Sequence, residues 1–135
     1  MTAGSVGLEL WRLARRWRRR ADAELSPLGL TLMQWWILDE TRTLILDTGD
    51  AVSQGAVALR MDVDKMTLSH AMLALQRRGF VDRGPDMTGA AYRIIVTASG
   101  EVARRQGGAL VEAASVAVLG RCCERLAAAL RLQAP

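Results

Sequence analysis

The chain has 135 residues, half of them hydrophobic and 24% charged, which fits one domain with its own core and excludes a disordered chain. Its formal charge of +4 and pI near 10.0 favour an anionic partner only modestly, and the basic residues are almost all arginine, Lys65 being the only lysine. No apolar run reaches the ~18 residues of a membrane span, since Ala109 to Gly120 is interrupted by Glu112.

In chain order, Val6 to Glu24 carries apolar residues at Val6, Leu10, Leu13, Trp17 and Ala21, a spacing of three and four that predicts one helical stripe. Its arginines follow the first apolar residues, so the segment does not read as a signal peptide. Ser26-Pro27-Leu28-Gly29 ends it, and Thr31 suits the cap of a second helix running through Trp35, Trp36 and Leu38 toward Leu46. After a loop at Asp47 to Asp50, Val52 to Met61 reads as a short helix with Ser53 in capping position and with Val57 and Met61 on one face. Asp62-Val63 breaks the run. Asp64 to Gly79 then reads as a helix with Asp64 as N-cap, Gly79 as terminator, and Arg77 and Arg78 at the negative end. Two helices across so short a turn form the DNA-reading arrangement, the second helix entering the major groove.

Phe80 to Arg83 and Tyr92 to Thr97 read as strands, and Gly84 to Ala91 supplies the turn formers of a hairpin tip. A helix-turn-helix followed by a hairpin is a winged helix, so the expected fold is mostly α within the α+β class. Thr97 can cap a long helical stretch to Leu132, broken near Gly107-Gly108 or Gly120. Unbroken, it would span about 50 Å, more than a small domain's diameter. Leu110, Val111, Ala114, Val118, Cys122, Leu126 and Leu130 are many apolar positions for one helix. With the first stripe they predict a helical interface between two subunits; the alternative is that these helices fold back on their own winged domain.

Three segments together resemble the MarR-type bacterial regulators: Asp62-Val63-Asp64-Lys65-Met66-Thr67-Leu68-Ser69, Leu75-Gln76-Arg77-Arg78-Gly79-Phe80-Val81, and Thr97-Ala98-Ser99-Gly100. Leu30-Thr31-Leu32-Met33-Gln34-Trp35 adds a weaker match, and the resemblance spans about residues 6 to 120. It implies a homodimeric transcriptional regulator, probing double-stranded DNA at a pseudo-palindromic operator and often released by a small ligand or by thiol oxidation. On that reading residues 1–135 form one domain, with 6–25 and 98–132 as the dimerisation region and 31–97 as the winged helix-turn-helix.

With Leu68 at the centre of the buried face of the recognition helix, Met72, Leu75 and Ala71 fall beside it, and Met66, His70, Leu73 and Arg77 fall opposite, flanked by Thr67 and Ser69. Arg77 suits a guanine edge or a phosphate, His70 a guanine acceptor or a phosphate, and Met66 and the Thr67 methyl a thymine methyl. Lys65 suits phosphate, as do Ser53 and Gln54 at a helix N-terminus. Arg83 and Arg93 are the basic residues on the strands. Leu73 fits this face poorly. The wing departs from the resemblance more sharply: Asp86 is followed by Met87 and Thr88, and Thr88-Gly89-Ala90-Ala91 has no basic residue for the minor groove. A protein–protein adaptor that kept the fold and lost operator binding is therefore an alternative.

Arg12, Arg15, Arg16, Arg18, Arg19 and Arg20 form the densest charge cluster. It reads either as the solvent face of a dimerisation helix or, with Trp11 and Trp17, as a surface for nucleic acid or an anionic membrane. Under the resemblance, Trp11, Met33, Trp35 and Trp36 are candidates for a pocket taking a small aromatic ligand, although adjacent tryptophans cannot share one helix face. Cys122 and Cys123 are candidates for a redox site between subunits, with packing in a helical interface as the plainer alternative; they exclude a disulfide framework and suit a cytoplasmic protein. One histidine, no metal-ligand cluster and no phosphate-cradling loop argue against an enzyme, a metal or a cofactor.

Overall fold

α1 (Ala3–Leu25) starts where Thr2 Oγ1 accepts the Ser5 amide at 3.2 Å, three residues before the expected start. A computed structural model describes residues 2–85 and 92–133, so Asp86 to Ala91 of the expected hairpin tip lie outside the described residues, while Gly84 and Pro85, expected in that tip, are strand. The chain divides into two compact units, one made of residues up to Leu32 together with those from Gly108 onward, the other of Met33–Gly107.

In the first unit α1 turns its stripe progressively inward: Leu13 and Trp17 are half-buried, and Ala21 and Leu25 are fully buried. A short 3-10 turn (Ser26–Leu28) follows, ended by Gly29 at φ 68°, a left-handed conformation that glycine adopts without Cβ strain. The Leu32 amide, one of the orphan donors at the start of α2 (Leu32–Thr48), donates to Asp22 Oδ1 at 2.7 Å. The distal half of α5 (Ala98–Leu119) belongs to the same unit, where Trp17 Nε1 donates to Ser115 Oγ at 3.0 Å and Val111 and Ala114 are buried. The long C-terminal stretch breaks at Gly120 (φ 57°) and not at Gly107-Gly108. Gly107 stays helical and buried, whereas Gly120 takes the left-handed φ that ends a helix. A 3-10 turn (Gly120–Cys122) leads into α6 (Cys123–Arg131).

The second unit holds the rest of α2, then β1 (Val52–Ser53), α3 (Gln54–Met61), α4 (Lys65–Arg77), β2 (Val81–Pro85), β3 (Tyr92–Val96) and the first part of α5. The strands form an antiparallel sheet in the order β1-β3-β2, with Val52 opposite Ile94 and Val81 opposite Val96. Val52, expected as helix, is thus strand, while Ser53, the last residue of that strand, is also the expected cap of α3. The backbone of Val52 pairs with Ile94 and its side chain is buried, a tertiary demand that two residues cannot signal by periodicity. Val52, Val81 and Ile94 from the sheet join Ile37, Leu38, Val57, Leu68, Met72 and Leu75 among the buried apolar residues of this unit. Thr41 is buried with them, and its hydroxyl has no hydrogen-bond partner among the described residues.

A charged cluster ties α2 to α5 within this unit. Glu101 accepts from Arg104 Nη2 at 2.8 Å and Nε at 3.0 Å, and from Arg42 Nε at 3.1 Å; Arg104 Nη1 also reaches Asp39 Oδ1 at 3.0 Å. The Arg104 hydrogen bonds, helped by Arg42, hold the Glu101 carboxyl at about 2 against its ordinary 4.5 even though partial burial pushes the other way. The Trp35 indole donates to the Arg104 carbonyl at 2.9 Å, so α2 grips α5 by backbone as well as by charge.

Candidate nucleic-acid interface

Capping chemistry places the two reading helices. Ser53 Oγ accepts the Ala56 amide at 3.1 Å at the start of α3. α3 ends at Asp62, which sits at φ 54°, and the Val63 amide returns to the Ala58 carbonyl at 3.1 Å. Aspartate is among the few non-glycine residues that take this conformation readily. Asp64 then caps α4: Oδ1 accepts the Thr67 amide at 2.8 Å and Oδ2 the Thr67 hydroxyl at 2.7 Å. The Thr67 hydroxyl bond, then its amide bond, draws the Asp64 carboxyl below its ordinary range. The hydroxyl proton of Thr67 is therefore committed to the cap.

α4 is two-faced. Leu68, Met72 and Leu75 are fully buried, the inward face the 100° spacing predicts. Lys65, Met66, Thr67, His70 and Arg77 are exposed, Met66 to 71%. Ser69 and Leu73 are half-buried, so Leu73 sits at the edge of the exposed face. Leu59, on α3, is 85% exposed and was not singled out from the sequence, where one leucine in a short helix reads as core.

The C-terminal end of α4 meets the start of α5 at a tight elbow. Gly79 takes φ 77°, and its carbonyl accepts the Thr97 hydroxyl at 2.6 Å and the Ser99 hydroxyl at 2.9 Å. Thr97 Oγ1 in turn accepts the Gly100 amide at 3.0 Å, the cap expected of this threonine. Gly100 passes so close that a Cβ there would lie 2.0 Å from the Phe80 carbonyl oxygen.

Among the wing residues, Arg83 Nη1 donates to Gln54 Oε1 at 3.1 Å, while Arg93 Nη1 donates to the Ala51 carbonyl at 2.6 Å and Nη2 lies 4.0 Å from Asp50 Oδ2. Both arginines brace the entry to α3, and Gln54 shares in that brace. Ser53, Gln54, Arg83 and Arg93 are thus gathered by the β1–β3–β2 sheet, whereas Lys65, Met66, His70 and Arg77 are presented by α4.

Of the four expected pocket residues, two share one cleft. Met33 and Trp36 line a cleft of about 290 Å³ with Glu40, Arg60, Met61 and Val63, where Arg60 Nε pairs with Glu40 Oε2 at 2.7 Å. Trp35 points its indole to the Arg104 carbonyl instead, and Trp11 lies on α1. Cys122 is exposed and Cys123 half-buried, both as free thiols. Among the described residues no group of His, Cys, Asp and Glu could hold a metal ion, and no helix is long and apolar enough to cross a membrane.

No family profile matches the sequence. An uncharacterised helix-turn-helix-type transcriptional regulator, YdcH of Bacillus subtilis (strain 168), is 28% identical over 79 residues, 58% of this chain and 53% of that protein; the match spans about half the length of that relative. A MarR-family transcriptional regulator from Rhodococcus sp. RHA1 superposes with a TM-score of 0.81 at 22% identity, covering 97% of this chain and 90% of that one. The Mycobacterium tuberculosis MarR-family protein Rv2887 in complex with DNA gives 0.71 at 25% identity, over 95% and 97%. The same protein in complex with salicylic acid gives 0.63 at 28% identity, over 85% and 82%. Element order, the β1-β3-β2 wing sheet and these superpositions agree, and the fold of this chain is that of the MarR family of transcriptional regulators.

Proposed function

We propose that this chain is a sequence-specific, DNA-binding transcriptional regulator that works in the cytoplasm as a homodimer and carries no enzymatic activity. The observation that carries the reading is α4: a helix anchored inward by Leu68, Met72 and Leu75 that presents Lys65, Met66, His70 and Arg77 outward. Such a helix, held by its neighbours and chemically varied on its free side, fits the major groove. The complex of Rv2887 with DNA supports the same reading. Apolar side chains left exposed on the single chain, Val6, Leu10, Val116 and Leu130 among them, support association through α1, α5 and α6. The cleft around Met33 and Trp36 has a volume suited to a small aromatic molecule, in keeping with the salicylic acid complex of Rv2887.

Selection of bound duplexes from a random pool at about 0.15 M salt tests this reading, since that salt suppresses non-specific phosphate binding. The expected product is an inverted repeat with half-sites about one helical turn apart. Arg77→Ala should weaken the selected duplex by about 1–3 kcal/mol and relax one position if it reads a base, or act uniformly across sequences if it touches phosphate. No enrichment by folded, dimeric protein would sink the operator reading. The adaptor reading would then stand, favoured by a tip sequence without Lys or Arg and by the use of Arg83 and Arg93 as internal braces.

A further inference from the structure

The arginine cluster of α1 is not among the residues assigned to DNA reading, and it lines a cleft of its own. Glu9, Trp11, Arg12, Arg15, Arg16 and Arg19, all on α1, line an open cleft of about 310 Å³ between their side chains. Arg15 lies over the Trp11 ring, 4.8 Å from its centroid, and Arg12 pairs with Glu9 at 3.0 Å. Arg15, Arg16 and Arg19 have no carboxylate partner among the described residues, whereas Arg18 and Arg20 face Asp22 and Glu24. Four guanidiniums against one carboxylate leave three uncompensated positive charges on one short stretch of helix.

At 100° per residue these arginines and Trp11 centre on the side of α1 roughly opposite the Val6–Leu10–Leu13–Trp17–Ala21 stripe. The stripe is the side that packs, with Trp17 bonded to Ser115 and Ala21 buried. The arginine face therefore lies on the opposite side of α1 from whatever covers the stripe. Trp11 is 57% exposed, too much for a packing role. From Arg12 to Arg19 the helix rises about 10 Å, the reach of two or three linked phosphates and the sugar attached to them.

We propose that this cleft binds a nucleoside polyphosphate, its phosphates on Arg12, Arg15, Arg16 and Arg19 and its base against Trp11. Guanidinium forks meet phosphate oxygens in paired, charge-assisted hydrogen bonds, and an indole offers a π-face to a base. A phospholipid headgroup shares the phosphate chemistry, but a helix lying in a membrane surface needs a broad apolar face beside its basic residues. Only Leu8 and Trp11 flank these arginines, because the apolar stripe is turned to the opposite side of the helix, buried at Ala21 and open at Val6 and Leu10.

The test is calorimetric titration of the full chain with ADP, with inorganic pyrophosphate, and with phosphatidylglycerol vesicles, at about 0.05 and 0.15 M salt. Saturable ADP binding is expected, weakened at least tenfold in the Arg15→Gln/Arg19→Gln variant and unchanged in Arg131→Gln, with circular dichroism showing that the variants keep their helices. Trp11→Leu should weaken ADP but leave pyrophosphate alone, which a merely electrostatic patch would not do. The proposal is overturned by no saturable ADP binding, by ADP binding indifferent to the double substitution, or by vesicle binding that the double substitution abolishes and ADP does not compete.

Discussion

Glu101→Gln should make this protein less acid-sensitive and, at neutral pH, less stable. Glu101 is held by two bonds from Arg104 and one from Arg42, with Arg105 Nε 3.3 Å away, and its side chain is only 20% exposed. Its carboxyl lies at about 2 when folded against an ordinary 4.5. At about 1.4 kcal/mol per pH unit, that difference caps the stabilisation at about 3.4 kcal/mol. Solvent screening at a partly open rim reduces it to about 2 kcal/mol. Because the folded-state value is the lower one, the stabilisation is complete above about pH 5 and is lost as pH falls toward 2; by pH 3 about two-fifths of it remains. Urea unfolding of wild type and variant at pH 7 and pH 3 measures this directly, each midpoint converted with its own slope. The expected gap is about 2 kcal/mol at pH 7 and under half of that at pH 3. An equal gap at both pH values, or none at pH 7, would refute the assignment of the acid-labile stabilisation to this carboxylate.

Three further substitutions probe the frame around α3 and α4. Gly100→Ala drives a methyl to 2.0 Å from the Phe80 carbonyl oxygen, a clash with backbone that no side-chain rotation relieves; a loss of about 3 kcal/mol or failure to fold is expected in thermal melts, and a neutral result would contradict the elbow geometry. Ser53→Ala removes the acceptor of the Ala56 amide and should cost about 1 kcal/mol by urea unfolding, with Ser53→Asp retaining most of the cap. Thr41→Val replaces a buried, unpartnered hydroxyl with a methyl of similar size and should raise stability by about 1 kcal/mol. For a chain of this length that is a rise of about 4 °C in Tm, and a fall would mean that the hydroxyl is satisfied after all.

Local chemistry was legible in the sequence, and long-range pairing was not. Asp64 and Gly79 bound α4 as read, because a cap and a left-handed terminator act within a few residues. Leu68, Met72 and Leu75 lie inward for the same reason, since helical phase is a local property. Val52 reads as helix because its strand exists only through Ile94, some forty residues away, whereas Ser53 caps α3 as expected. Arg83 and Arg93 looked like candidate DNA contacts, and nothing in their own neighbourhood foretold bonds to Gln54 and the Ala51 carbonyl. The Asp39–Arg42–Glu101–Arg104 cluster was also missed. Its one i, i+3 pair, Glu101 with Arg104, is visible in the spacing, but only the packing of α2 against α5 brings Asp39 to Arg104 and Arg42 to Glu101. The two tryptophans were read as unable to share a face, and they do diverge, Trp36 toward the Met33 cleft and Trp35 toward α5.

The frame also bears on how α4 could be regulated. Its orientation is fixed at one end by the Asp62–Asp64 turn and at the other by the Gly79–Phe80 elbow, where two hydroxyls from the start of α5 converge on one carbonyl. α5 is in turn held to α2 by Glu101, Arg104 and Trp35. The cleft at Met33 and Trp36 opens beside Met61 and Val63, on the other flank of the same turn. A molecule seated there would lie against the Arg60–Glu40 pair and against Val63, whose amide closes the turn on Ala58, and could part the one or shift the other. Either change acts on the N-terminal end of α4, where Lys65 and Met66 are presented, while the elbow holds the other end. Small movements at that cleft would therefore be read out as a tilt of the exposed face about Gly79, and not as a displacement of the whole helix.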